Sequence, residues 1–177
     1  MDIAVTASAD VPPDVRQAIG ALSAAVYPPE VIATLPGIDL AWARPQRSLL
    51  VWDDGRLVAH VGVVVRDVLL DGQIVRIGGI GGVMTHPEAQ GKGFARAAMR
   101  RAQDVFASDP AIVFALLVCP SSRVSFYERL DWRRFGGRLL VAQPAGAIAF
   151  TVNAVLVRPI HGIAPQTGTL DLCGLPW

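Results

Sequence analysis

Apolar residues recur along this chain with two periods, and the points where one period gives way to the other mark out its elements. Ile3 to Thr6 alternates weakly and predicts a first strand. Pro12-Pro13-Asp14 then supplies a helix start. Val15, Ile19, Leu22 and Val26 repeat at helical spacing as far as Tyr27, where Pro28-Pro29 stops the helix. A shorter helical piece runs from Glu30 to Leu35 and ends at Pro36-Gly37. From Ser48 the period falls to two. Ser48–Trp52 and Leu57–Val65 are β-rich and joined by Asp53-Asp54-Gly55-Arg56, a hairpin signal, and Leu69 to Asp71-Gly72 followed by Ile74–Ile77 repeats the arrangement. A three-stranded antiparallel meander is expected.

The third of these strands carries Gly78, Gly79, Gly81 and Gly82. Glycine costs a strand both packing and backbone entropy, so the four together predict a bulge, a ligand against the backbone, or close packing of a helix on the sheet. From Gly93 onward the pattern is helical again: Ala95, Met99, Ala102 and Phe106 fall on one side, and Arg96, Arg100 and Arg101 leave it on the other. Ile112–Val118 is a continuous apolar run, the pattern of a buried strand, and its connection through a helix makes it parallel to the glycine-rich strand. Pro120-Ser121-Ser122 caps a second helix bearing Val124, Phe126, Tyr127 and Leu130, and Leu139–Ala142 and Ala147–Val157 are expected to complete the sheet.

At 177 residues and 52% apolar content the chain has ample material for a core, and it reads as a single domain over residues 1–177. Its net charge of +1 conceals a segregation. Residues 1–54 hold seven acids and three arginines, whereas the remainder holds eight acids and thirteen bases. The longest apolar run, Ala111 to Cys119, is too short to span a bilayer, and the N-terminus lacks a basic region leading into an apolar core, so a cytoplasmic protein with no membrane partner is expected. Cys119 and Cys173 lie far apart without a CxxC pair, which argues against a disulfide framework or a metal site. No basic-aromatic patch suited to a nucleic acid is present.

The chemistry concentrates between Gly78 and Phe106. A strand ending at Thr85 leads through a loop into Gln90–Gly91–Lys92–Gly93–Phe94–Ala95 and then a helix. Backbone N–H groups at a helix start have no intrahelical partner and lie at the positive end of the macrodipole, so this order of elements can cradle a pyrophosphate. The turn is neither a Walker A loop nor a dinucleotide fingerprint, since the Gly-Lys-Ser/Thr of the first and the third glycine of the second are missing. Gln90-x-x-Gly93-x-Ala95, with His86-Pro87 before it, resembles the Q/R-x-x-G-x-G/A loop of the GNAT superfamily of acyl-CoA-dependent N-acyltransferases. Downstream, Phe126–Tyr127–Glu128–Arg129–Leu130–Asp131–Trp132 is similar to that family's F-Y-x-x-x-G-F/W segment, so the resemblance covers roughly Leu49 to Trp132.

The resemblance implies an α/β GNAT fold, with a mixed, mostly antiparallel sheet of six to seven strands and helices on both faces. It implies acetyl-CoA as the acyl donor, with Gln90, Gly91, Lys92, Gly93, Phe94 and Ala95 around the pyrophosphate and Val83, Met84 and Thr85 beside the pantetheine arm. Tyr127 takes the part of general acid toward the departing thiolate. The acceptor is a small primary amine, and the two N-terminal helices, with the acidic excess, form one wall of its site. Many family members carry a glutamate base on the strand before the loop, but Gly79 and Gly81 hold those positions here. A non-catalytic acyl-CoA-binding module is therefore an alternative. The apolar stretch Leu170–Trp177 is expected to be tucked in. It resembles the tail of the aminoglycoside 2′-N-acetyltransferases, which implies that Asp171 or the Trp177 carboxylate orients a cationic substrate. An apolar C-terminal strand and tail would also suit a homodimer. His60 reads as structural, His86 as part of the loop signature, and Cys119 as a small buried side chain without a histidine partner.

Overall fold

The computed structural model describes residues 1–177. Its first half contains β1 (Asp2–Ala7), α1 (Pro13–Val26), α2 (Pro29–Ile32), β2 (Arg47–Asp53), β3 (Arg56–Leu70), β4 (Gln73–Thr85) and α3 (Phe94–Ala107). The second half adds β5 (Phe114–Cys119), α4 (Val124–Glu128), β6 (Arg133–Arg134), β7 (Arg138–Gln143), β8 (Gly146–Ala149), β9 (Ala154–Pro159) and β10 (Thr169–Asp171). The meander β2-β3-β4 forms as the pattern predicts. Both of its hairpins turn on an Asp-Gly pair in the left-handed region, with φ of 47° and 74° at Asp54-Gly55 and 49° and 82° at Asp71-Gly72. Two successive positive φ values match the right-handed twist of the flanking strands, and Asp-Gly is the pair that tolerates them best.

The ten strands form one mixed sheet, larger than the six or seven expected. The reason lies in the length of β3. Its first part pairs with β2 as far as Val63, and its last residues, Leu69 and Leu70, pair instead with β10. Strand β10 in turn runs parallel to β7, so the C-terminal segment inserts itself between β3 and the β7-β8 hairpin. Residues 147–157 form two strands rather than the one expected. Strand β8 stays in the hairpin with β7, whereas β9 crosses to the far side of the sheet to pair with β5 and β6.

Alternation along the strands divides the core between the two faces. Leu49, Val51, Val61, Val63 and Ile80 pack against Ala98, Met99, Ala102 and Phe106 of α3, whereas Leu50, Leu57 and Met84 pack against Leu22 of α1. Helix α3 buries Phe94, Ala98, Met99, Ala102, Val105 and Phe106, and Ala95, expected on this stripe, stands half-exposed at its rim. A third cluster joins Ile77, Phe114 and Leu116 to Leu139, Leu170, Leu172 and Trp177. The apolar tail is therefore buried against its own sheet, as expected.

The four strand glycines answer to three different demands. A Cβ on Gly78 would stand 2.5 Å from the Phe106 ring, so α3 packs directly on the strand backbone. On the opposite face, side chains at Gly79 and Gly81 would overlap Trp177. Gly82, at φ 56°, sits where the β3-β4 register shifts between His60 and Gly62, which is the expected bulge. Replacing Gly78 with valine forces Phe106 out of its seat, and the substitution is expected to destabilise the fold by about 1–3 kcal/mol, read as a lower urea midpoint.

Candidate functional site

Strands β4 and β5 run parallel and in contact from Ile77–Phe114 to Ile80–Leu117, and there their pairing ends. Beyond that point β4 stays with β3 through Ala59–Thr85, and β5 stays with β9 through Cys119–Ala154. A wedge opens between them. On the β5 side, the peptide groups of residues 81–85 have no strand neighbour, so donors are left facing the gap. Buried His60 holds the mouth of the wedge in shape. Its Nδ1–H donates to the Gly82 carbonyl at 2.8 Å, which leaves Nε2 to accept from the Ser48 hydroxyl at 3.1 Å. Both ring nitrogens are satisfied in the neutral form, and burial holds the imidazole below its ordinary pKa, with the Gly82 bond opposing that shift.

The wedge leads into the turn before α3. Gly91 and Gly93 take φ of 78° and 87°, and Gly93 sits at the N-cap without a side-chain cap, so the first N–H groups of the fourteen-residue helix stay open to a ligand. The loop leading to it is pinned from several sides. The Arg56 guanidinium bonds Glu88 at 2.9 Å and His86 Nε2 at 2.6 Å, and the Gln90 side-chain amide donates to the Thr85 carbonyl at 3.4 Å. These contacts give His86 the structural part its place in the motif implies.

Wedge and turn are parts of one cavity of about 1000 Å³. Val83, Thr85, Gln90, Gly91, Gly93, Phe94, Ala95, Tyr127 and Trp177 line it, together with Arg96. Three residues singled out in the sequence do not. The Met84 side chain turns away into the α1 cluster, and Lys92 is exposed outside the lining. Asp171 belongs to β10, where its carboxylate accepts from the Cys173 N–H at 2.8 Å and shapes the tail's turn. Tyr127 is 7% exposed, and burial, with smaller contributions from Cys119 and Tyr27, raises its phenol above the usual pKa while Arg123 opposes the rise. Cys119 lines the cavity but burial pushes its thiol up to about 11, which keeps it neutral and unsuited to nucleophilic work.

Trp177 supplies part of the cavity's wall. Its indole Nε1–H donates to the Leu116 carbonyl at 3.2 Å, and the Arg66 guanidinium lies 4.9 Å from its ring centroid. Arg66 also donates to the carbonyls of Leu172 and Leu175 at 3.3 and 2.9 Å, and the Ala43 N–H donates to the Pro176 carbonyl at 2.6 Å. Several lining residues carry no recognisable sequence motif: Tyr27, Trp42, Arg123 and Asn153. Only Tyr27 had a local signal, its place at the end of α1 just before Pro28-Pro29. The acids expected to face this site do not line it; Glu30 and Asp39, next in sequence to the lining residues Val31 and Ile38, are exposed outside the lining.

Residues 17–135 match the family model described as Acetyltransferase (GNAT) domain. No curated protein matches the sequence. Among solved structures the fold is similar to that of Escherichia coli ElaA, at TM-score 0.62 and 14% identity over 89% of this chain and 98% of that one. It is similar also to the GNAT family N-acetyltransferase YhbS of Escherichia coli in complex with CoA, at TM-score 0.59 and 16% identity over 97% and 88% of the two chains. A GNAT family acetyltransferase of Brucella melitensis in complex with acetyl-CoA matches at TM-score 0.52 and 17% identity, over 86% and 90%.

His60 makes the site's architecture sensitive to pH. Its folded pKa is depressed, so below the ordinary value near 6.5 the unfolded chain binds the proton more readily than the fold does. The stabilisation is complete above that value and is lost as pH falls toward the folded pKa. Urea midpoints measured between pH 7 and 5 should fall with acid, by up to about 1.4 kcal/mol per pH unit in stability, and His60→Leu should flatten the slope over the upper part of that range.

Proposed function

The chain belongs to the acetyltransferase (GNAT) family, and from that premise we propose that it moves the acetyl group of acetyl-CoA to the primary amine of a small molecule. The observation that carries the proposal is the continuity of the wedge with the uncapped start of α3. One cavity offers open N–H donors beside β4 and a second set at the helix N-terminus, the two kinds of site that a thioester arm and a pyrophosphate require.

In this reading the pyrophosphate lies on the Gln90–Ala95 turn, with Arg96 beside it, and the pantetheine arm runs along Val83 to Thr85. Lys92 contributes through its backbone and at long range, since its side chain stays outside. Met84 likewise contributes only peptide groups. The acceptor amine attacks the thioester carbonyl carbon after giving its proton to water, because no aspartate or glutamate side chain lines the cavity. Peptide N–H groups of the wedge hold the oxyanion that forms. When the carbon–sulfur bond breaks, the Tyr127 phenol donates to the departing thiolate, and the extra proton on the newly acylated nitrogen passes through water to restore the phenol, leaving a neutral amide and a free thiol. Burial keeps that phenol protonated at any physiological pH and makes it a reluctant acid, so most of its effect is a hydrogen bond that strengthens as charge gathers on sulfur.

Trp177 forms a wall of the acceptor side, and Asp171 acts on it only through the fold of the tail. Gly79 and Gly81, where a strand carboxylate is missing, favour a second reading, an acyl-CoA-binding module without turnover. The two are separated by titrating the protein calorimetrically with acetyl-CoA and then following free-thiol release with amines present. Binding and release are both expected. Tyr127→Phe should lower kcat by about 100-fold while leaving acetyl-CoA affinity nearly unchanged, and full activity in that variant would remove the phenol from the mechanism.

A further inference from the structure

The acceptor end of the cavity is chemically lopsided. Val26, Tyr27, Val31, Leu35, Ile38 and Trp42, from α1, α2 and the loop that follows, line it. Val31, Ile38 and Trp42 stand 37%, 51% and 37% exposed. Single exposed apolar side chains are ordinary, but these three come from one short segment and border one cavity. The loop that presents them is itself held in place. Trp42 donates from its indole to the Gly37 carbonyl at 3.0 Å and packs edge-on against Phe150, and a Cβ on Gly37 would meet Leu40, Trp42 and Val152 at 3.2 Å each.

Charge narrows the choice further. The thirty-two lining residues include Arg96, Arg123 and Arg129 and no aspartate or glutamate. A ligand with several ammonium groups would bring them beside Arg123 and Arg129, Arg96 being taken up by the pyrophosphate, and would find no aspartate or glutamate, and no carboxyl group but that of Trp177 beside Gly81, to pair with them. A single amine has a partner available. Asn153, which lines the cavity just before the Ala154–Cys119 pair at the mouth of the wedge, has a buried side-chain oxygen with no hydrogen-bond partner. A buried acceptor without a donor is costly, and an amine N–H answers it once the amide turns from its closed position toward the cavity.

We propose that the acceptor is a primary amine on an apolar or aromatic body with no second cationic centre, its body against Val31, Leu35, Ile38 and Trp42 and its nitrogen toward Asn153. This rests on the N-acyltransferase reading of the same cavity and runs against a polycationic acceptor such as an aminoglycoside. The CoA-loaded protein, titrated calorimetrically with 2-phenylethylamine, tryptamine, spermidine and kanamycin, reads the site without needing turnover. The two arylalkylamines should bind at least tenfold more tightly than the two polycations. Ile38→Asp, at an exposed position that leaves the core alone, should narrow or reverse that ratio and leave acetyl-CoA affinity unchanged. Tighter binding of spermidine or kanamycin, binding of no amine at all, or an Ile38→Asp variant with the wild-type preference would overturn the proposal. Thiol release followed in parallel separates the two readings. Arylalkylamine binding without release counts against the transferase and leaves the acceptor class standing.

Discussion

Past the Ile80–Leu117 pair, β4 and β5 stop exchanging hydrogen bonds, and two strands inside a sheet part in this way only if each is held by another neighbour. Here β3 keeps β4 and β9 keeps β5. The register shift opposite His60 lets β4 bend away, and the buried imidazole fastens the bent segment through the Gly82 carbonyl. Helix α3 then begins where β4 has led the chain, so its uncapped N-terminus opens into the same cavity as the parted strands. The proposed donor site therefore depends on one local failure of pairing and on the contacts that hold the two parted strands.

A second constraint acts from the other end of the chain. Trp177 occupies the face of β4 that side chains at Gly79 and Gly81 would fill, and its indole N–H reaches across to β5 at Leu116. Arg66, from β3, clamps the segment leading to it. The absence of a strand carboxylate and the presence of the tail are thus one steric fact seen twice, because both cannot occupy that face. The cavity left behind is walled by apolar and aromatic groups of α1, α2 and the loop that follows, and the buried side-chain oxygen of Asn153 lies near the wedge.

What could be read in advance was local. The Asp-Gly hairpins, the left-handed Gly91 and Gly93, the amphipathic α3 and the parallel β5 all follow from contacts between residues close in sequence, or from a conformation only a few residue types accept. The insertion of β10 beside β3 was not legible, since it joins Leu170 to Leu70 and leaves no periodic mark on either segment. For the same reason Gly79 and Gly81 could be recognised as anomalous without their partner being apparent. Ala147–Val157 misled because β-rich composition does not show where a chain leaves one neighbour for another. The acidic bias of the first 54 residues was real, yet charge counted along a sequence says nothing of which surface it reaches.

The measurement closest to the central claim is amide hydrogen exchange at Gly81–Thr85, with and without acetyl-CoA. If the thioester arm lies in the wedge, amides of this segment that face β5 gain a partner on binding and their exchange slows, together with those at the start of α3. Protection confined to α3, or unchanged exchange along β4 at saturating acetyl-CoA, would contradict the wedge as the donor site.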